Sequence, residues 1–78
     1  MAVGAYIFIN TRAGGASTAL VGMKKLAEVK QCHLVTGIYD VIAYLEAADV
    51  TTIGTLILTK IHTMEGVDRT VTCVTVQG

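Results

Sequence analysis

Residues 33–47 read HLVTGIYDVIAYLEA, two apolar runs joined by a short segment that contains one glycine and one acid. Gly37 supplies the backbone freedom that a tight turn between two strands requires. The second run, residues 39–47, is apolar on both faces, as is typical of a central strand in a sheet. The stretch predicts a β-hairpin, but the hairpin alone does not require an acid, Asp40, at the mouth of an apolar strand.

The first half of the chain predicts a strand, a helix and a second strand. Residues 4–9, GAYIFI, form a short apolar run and predict a strand that is buried on both faces. From Ala16 to Val29, apolar residues recur at a three-four spacing, which predicts an amphipathic helix. Residues 30–36 carry more polar side chains and predict an edge strand that leads into the hairpin.

The second half predicts another helix and a last strand. Asp49 suits the N-cap of this helix, although Gly54 and the β-branched residues around it oppose helix formation locally. The apolar stripe of the helix consists of Ile53, Leu56, Ile57 and Ile61. Gly66 is a natural helix stop, and residues 67–76 alternate and predict the fourth strand.

The element order β-α-β-β-α-β predicts an α+β protein with the ferredoxin-like fold. This fold is a sandwich of an antiparallel four-stranded sheet and two helices on one face, with the first and third strands in the centre. Both central strands are apolar on both faces, so the face without helices also needs a cover. A second copy of the sheet is the simplest cover, which predicts a dimeric α/β barrel.

The composition also indicates an oligomer. The chain has 78 residues, of which 53% are hydrophobic and 15% charged, and so small a domain cannot hide that much apolar surface alone. The net charge is zero without clusters of either sign, which disfavours nucleic-acid binding. The sequence shows neither a signal peptide nor an apolar run of about 18 residues that could span a membrane. We therefore expect a single cytoplasmic domain, residues 1–78, that binds neither nucleic acid nor membrane.

The two cysteines, Cys32 and Cys73, form no Cys-x-x-Cys pair, and the sequence shows no metal-ligand spacing. We expect both to be buried small hydrophobes and predict no metal site and no cofactor. The predicted topology places them on opposite edges of the sheet, about 14 Å apart, which is too far for a disulfide.

Several polar residues allow an enzymatic alternative. Arg12, Asn10 and the following glycines could cradle an anion as in a small phosphatase, or they could form an ordinary turn. His33 lies on a predicted edge strand and suits a surface or interface residue better than a catalytic one. His62 stands near the end of the second helix, where a protonated imidazole is favourable. The alternative is a small cofactor-free enzyme of the dimeric α/β barrel type, such as a monooxygenase.

Two segments, TGIYD at 36–40 and GVDRTVT at 66–72, match a pattern of TG-x-x-D followed by GV-x-x-T-x-T. In this pattern and in its predicted topology, the chain resembles the effector-binding (RAM) domain of the leucine-responsive regulator/AsnC (Lrp/AsnC) family of prokaryotic transcription regulators. The resemblance extends from Ala5 to Val76. The sequence shows no counterpart of the family's N-terminal helix-turn-helix DNA-binding domain, so we expect a stand-alone effector module of the family; an excised domain of a longer regulator is the alternative.

The resemblance implies a non-catalytic module that binds free amino acids. Family members dimerise through the open sheet faces, and the dimers assemble into octamer or decamer rings. Amino acids bind in clefts between dimers. The residues of this chain that match the site are Gly37, Ile38, Tyr39, Asp40, Thr70 and Thr72. A full-length regulator of the same family is a further partner compatible with the resemblance.

Five of these six residues also have a purely structural interpretation. Gly37 suits a turn without a ligand, and Asp40 could bond turn amides in an Asx-type arrangement. Thr70 and Thr72 are ordinary strand formers, and Tyr39 could simply pack. The sequence leaves both interpretations open at these positions. It shows no nucleophile–base pair, and we therefore predict that the protein is not an enzyme.

Overall fold

A computed structural model describes residues 2–78 of the chain. In chain order its elements are β1 (Val3–Thr11), α1 (Ala16–Lys24), β2 (Val29–Leu34), β3 (Val41–Ala47), α2 (Val50–Leu56), a π-helical turn (Ile57–Ile61) and β4 (Val67–Val74). The order of strand and helix along the chain is the predicted one.

The four strands form one antiparallel sheet in the order β2-β3-β1-β4. The first and third strands occupy the centre, and the fold is the predicted ferredoxin-like sandwich. Among residues 2–78, no helix is long and apolar enough to cross a membrane.

The core lies between the sheet and the helices. Alternate residues of the central strands are fully or nearly fully buried against the helices: Ala5, Ile7 and Ile9 of β1, and Val41, Ala43 and Leu45 of β3. The helical side of this core includes the whole predicted stripe of Ile53, Leu56, Ile57 and Ile61, together with Ala19 and Met23. Burial of these side chains, at about 1.5–3 kcal/mol each for the larger ones, is the main force that holds the helices on the sheet.

The opposite face of the sheet is apolar and exposed. Tyr6 is 45% exposed and Val71 is 42% exposed. The Tyr6 and Tyr44 rings pack on this face with centroids 4.9 Å apart, and Phe8 of β1 lies beside them. The central strands are thus apolar on both faces, as predicted. We call this surface, formed by Tyr6, Phe8, Ile42, Tyr44 and Val71, the open face.

Several element boundaries differ from the predicted ones, and two of these differences concern the first helix and the third strand. The first helix ends at Lys24 and does not continue to Val29. The reason is that the Glu28 carbonyl already accepts a hydrogen bond from the Glu46 amide of β3, at 2.9 Å, so the chain has left the helix by then. The third strand begins at Val41, which places Tyr39 and Asp40 in the preceding loop.

The second helix begins where predicted but changes its pitch. Asp49 is the N-cap, and its side chain accepts a hydrogen bond from the Thr52 amide. After Leu56 the helix widens into a π-turn, in which the His62 amide bonds the Ile57 carbonyl at 2.8 Å. Threonine hydroxyls donate to carbonyls four residues back along this segment, a type of bond that competes with regular helical pairing.

The two cysteines lie on opposite edges of the sheet, as predicted, and both are free thiols. Cys32 is buried, which confirms the prediction for that residue. The prediction was wrong for Cys73, which is exposed. Cys73 pairs with Tyr6 across β1 and β4 and therefore points to the open face, where nothing in residues 2–78 covers it.

Candidate functional site

The candidate site is the loop between β2 and β3, residues 35–40, at one end of the sheet. The Val35 amide donates to the Asp40 carbonyl at 2.9 Å and closes the hairpin. Gly37 has φ +123°, and no atom lies within 4 Å of the place that a Cβ would occupy. The backbone angle, and not crowding, therefore requires glycine here.

Asp40 connects this loop to the end of β1. Its Oδ2 accepts hydrogen bonds from the Thr11 amide at 2.8 Å and from the Thr11 hydroxyl at 3.1 Å. Its own amide donates to the Ile9 carbonyl at 2.9 Å. The structural use of Asp40 is thus a contact between the loop and β1 and not an Asx-type bond to its own turn. Both side-chain bonds go to Oδ2, and Oδ1 bonds nothing within residues 2–78.

Two further contacts hold the tip of the loop against β1. The Asn10 side-chain amide donates to the Ile38 carbonyl at 2.7 Å. The Tyr39 ring packs against Phe8, with centroids 5.1 Å apart. The Ile38 side chain, in contrast, is 83% exposed. Tyr39 therefore packs as its structural interpretation requires, while Ile38 is open to a ligand or a partner.

The other two predicted ligand residues lie elsewhere in the chain. Thr70 and Thr72 belong to β4 and pair with Ile9 and Ile7 of β1. They lie on the side of the sheet that the helices cover. They are half-buried, and the Thr70 hydroxyl lies 2.9 Å from His62 Nε2. At ~4.8 Å per strand, about 10 Å separates β4 from β3. One chain therefore brings Gly37, Ile38, Tyr39 and Asp40 together and leaves Thr70 and Thr72 as a separate pair.

Three residues that contact the predicted ligand residues were not predicted to do so. Asn10 and Thr11 bond the loop from 28 and 29 positions away along the chain, and His62 bonds Thr70 across a turn. No local spacing indicates such pairs. The sequence suggested Asn10 only as part of a possible anion cradle, whereas its side chain bonds the Ile38 carbonyl in the hairpin loop.

The glycine segment after β1 forms a packed turn. The Arg12 amide donates to the Gly66 carbonyl at 2.9 Å, and the Gly15 amide donates to the Arg12 carbonyl at 2.8 Å. Gly15 and Gly66 approach each other so closely that a Cβ on either would meet backbone atoms of the other. These amides serve the turn, as the ordinary interpretation of the segment expects.

The remaining polar candidates form no catalytic or metal-binding cluster. His33 is exposed on the edge strand β2, opposite Ile42 of the open face. No group of three or more His, Cys, Asp or Glu side chains suited to a metal ion exists among residues 2–78. A groove of about 470 Å³ lies between α1 and Met64 and contains none of the six predicted ligand residues.

The fold and its hairpin loop are those of a small regulatory effector-binding domain. The sequence profile of the Lrp/AsnC ligand binding domain matches residues 4–77, almost the whole chain. The chain belongs to this family, as its two motifs indicated.

Solved structures agree with this assignment. TTHA0845 from Thermus thermophilus is 26% identical, with a TM-score of 0.92, and the match covers 97% of this chain and 95% of that one. E. coli AsnC is 25% identical, with a TM-score of 0.91, and the match covers 97% of this chain but 52% of AsnC. The transcriptional regulator NMB0573 of Neisseria meningitidis, solved as a complex with L-Met, is 18% identical with a TM-score of 0.88 over 96% of this chain and 50% of that one. At that identity the similarity shows the fold alone. No curated protein sequence matches the chain.

Proposed function

We propose that the protein is a non-catalytic sensor of free amino acids, and that the loop at residues 37–40 is one wall of the ligand site. The observation that supports this proposal is the state of the loop backbone. The amides of Gly37, Ile38 and Tyr39 donate no hydrogen bond to any group within residues 2–78. Consecutive free N–H groups suit a carboxylate, and the unbonded Oδ1 of Asp40 suits an ammonium group.

An amino acid carries both of these charges on one carbon, so the same loop can meet both. Asp40 is well placed for such a role because Thr11 holds one of its oxygens and fixes the orientation of the other. A regulator that contains this fold, NMB0573, was solved as a complex with L-Met, and this supports the proposal.

We propose that a second copy covers the open face, which gives a dimeric α/β barrel, and that dimers assemble into octamer or decamer rings. In such a ring, Thr70 and Thr72 complete the site from an adjoining subunit, because one chain keeps them apart from the loop. The exposed aromatic and aliphatic side chains of the open face support the dimer, since burial of apolar surface drives association.

We also propose that the module binds a full-length regulator of the same family through the shared dimer surface. The zero net charge of residues 1–78 supports a role in which this domain does not itself bind DNA.

Calorimetry and thermal unfolding with each of the twenty standard amino acids at millimolar concentration test the sensor. One or a few should raise the melting temperature, and Asp40→Ala should remove that effect while the oligomer persists. Asp68→Ala is the matched control, because Asp68 is an exposed acid that bonds no side chain within residues 2–78. If all twenty leave wild type unchanged, the sensor proposal fails. Turnover of quinols or acyl phosphates would support the enzymatic alternative.

A further inference from the structure

We propose that Asn10 is a positioning residue of this amino-acid site, which rests on the function proposed above. Asn10 orients the peptide between Ile38 and Tyr39 so that the Tyr39 amide points to the ligand. The family motifs assign Asn10 no role in this site, and its side chain forms one hydrogen bond to the loop, of 2.7 Å.

Few other contacts hold the tip of the loop. Ile38 is 83% exposed, and the Gly37 Cα has open space beside it. Behind the tip, Asp40 is bonded to β1, and Tyr39 packs on Phe8. Segments with few packed contacts open at low free-energy cost, so a single bond at the tip has a large share in its order.

The Asn10 bond also fixes the direction of the Tyr39 amide. A trans peptide unit is planar, and its C=O and N–H groups point to opposite sides. No cis peptide bond occurs among residues 2–78. Because the Ile38 carbonyl points to Asn10, the Tyr39 N–H of the same peptide unit points away from Asn10. The Asn10 bond therefore selects which side of the loop presents this donor.

The bond between Asn10 and Ile38 preorganises the loop and contributes little to the stability of the whole fold. Asn10 is half-buried near the end of β1, and it belongs to no part of the buried core. A preorganised donor improves binding because the loop does not lose conformational freedom when the ligand arrives. Loss of Asn10 should thus weaken ligand binding much more than it lowers the melting temperature.

The test uses the full chain and, as probe, whichever of the twenty standard L-amino acids most stabilises wild type. In Asn10→Ala we expect the dissociation constant to rise about five- to tenfold, the factor that one hydrogen bond supplies. Asn10→Asp should raise it further, because a carboxylate would oppose the Ile38 carbonyl. Asn10→His, whose Nδ1 can donate from the equivalent position, should restore much of the affinity.

A second readout separates positioning from general damage. NMR order parameters of residues 37–39 in the ligand-free protein should fall in Asn10→Ala from about 0.85 toward 0.6 or below, and recover in Asn10→His. Gln31→Ala is the matched control, since it deletes an exposed carboxamide from another strand. Sedimentation must show the same oligomer throughout, and if Asn10→Ala does not fold, the comparison of Asn10→Asp with Asn10→His gives the same answer.

The outcomes are distinct. If wild type binds an amino acid and Asn10→Ala binds it equally well, the positioning role is overturned while the sensor proposal stands. Unchanged order parameters together with weaker binding also overturn it, because the loop would then not depend on Asn10. If wild type binds none of the twenty, the proposed function fails and the role of Asn10 fails with it.

Discussion

His62 Nε2 lies 2.9 Å from the Thr70 hydroxyl and joins the last turn of the second helical segment to β4. The π-turn precedes this contact directly, since the His62 amide bonds the Ile57 carbonyl. π-turns rotate the residues after them and occur often at functional sites. The sequence indicated that His62 suits a helix end, and the structure adds a specific partner for its ring.

A double-mutant cycle measures this contact. His62→Ala and Thr70→Val should each lower the free energy of unfolding modestly, because one exposed hydrogen bond is worth about 1 kcal/mol at most. The two changes together should cost less than their sum, by roughly 0.5–1 kcal/mol. Urea unfolding at neutral pH gives all the values. Strict additivity would mean that the ring and the hydroxyl do not interact in solution.

Gly66 and Gly54 should respond to alanine in opposite directions. Gly66 has φ +92°, and a Cβ there would lie 2.6 Å from the Gly15 carbonyl oxygen. Backbone strain and the clash together should destabilise Gly66→Ala by about 2 kcal/mol or more. Gly54 lies inside α2 with open space beside it, so Gly54→Ala should stabilise by about 0.5–1 kcal/mol. If Gly66→Ala is as stable as wild type, the segments around Gly15 and Gly66 must be able to move apart.

Local patterns in the sequence were sufficient for the order of the elements, because each strand and helix shows its own period. The N-cap at Asp49 and the turn at Gly37 follow from residue chemistry that acts within a few positions. The end of the first helix at Lys24 does not, since the bond between Glu28 and Glu46 that ends it joins distant residues. The contacts of Asn10 and Thr11 with the hairpin loop were not predicted for the same reason.

Strand register explains why the sequence did not show on which face of the sheet Thr70, Thr72 and Cys73 lie. In β4, residues VDRTVTCV, valine, threonine and cysteine alternate with little contrast between the two faces. Pairing with β1 decides that Thr70 and Thr72 face the helices while Cys73 faces outward. A shift of the pairing by one residue would exchange these faces. When the two faces of a strand carry similar residues, its sequence therefore does not show which face packs on the helices.

The N-cap predicts a dependence of stability on pH. Asp49 Oδ1 accepts bonds from the Thr52 amide at 2.6 Å and the Thr52 hydroxyl at 2.7 Å. These two bonds lower the pKa of Asp49 below its ordinary value of 3.8, and the bond from the hydroxyl has the larger effect. The folded protein thus holds this proton less tightly than the unfolded chain, so the stabilisation is complete above the unfolded pKa and disappears as pH falls through the folded pKa.

Asp49→Asn tests this dependence because asparagine can still cap the helix without a charge. Wild type should melt at a higher temperature than Asp49→Asn at neutral pH, and the difference should shrink as pH falls below 3.8. Thermal unfolding followed by circular dichroism measures it, with Asp68→Asn as a control for an exposed acid. A difference that is constant with pH would show that the charge of Asp49 contributes nothing.

The two cysteines should react at different rates with a thiol reagent. Burial, the larger effect, raises the pKa of Cys32 and outweighs the nearby charge of Lys24, so its thiol stays protonated at neutral pH. Only the thiolate reacts, and Cys32 should therefore label only when the protein unfolds. Cys73 is exposed on the open face and should label at once in a monomer. Rapid labelling of both thiols in the native protein would contradict the buried position of Cys32.

The rate at Cys73 also reports the proposed dimer. If a second copy covers the open face, labelling of Cys73 should slow as protein concentration rises, while Cys32 stays unreactive throughout. Val71→Lys places a charge on the open face, where Val71 is opposite Phe8, and it should produce monomers in sedimentation and rapid labelling at every concentration. Leu58→Lys is the control, because Leu58 is 67% exposed on the helical side of the sheet. A Val71→Lys protein that remains an oligomer with Cys73 protected would mean that another surface joins the subunits.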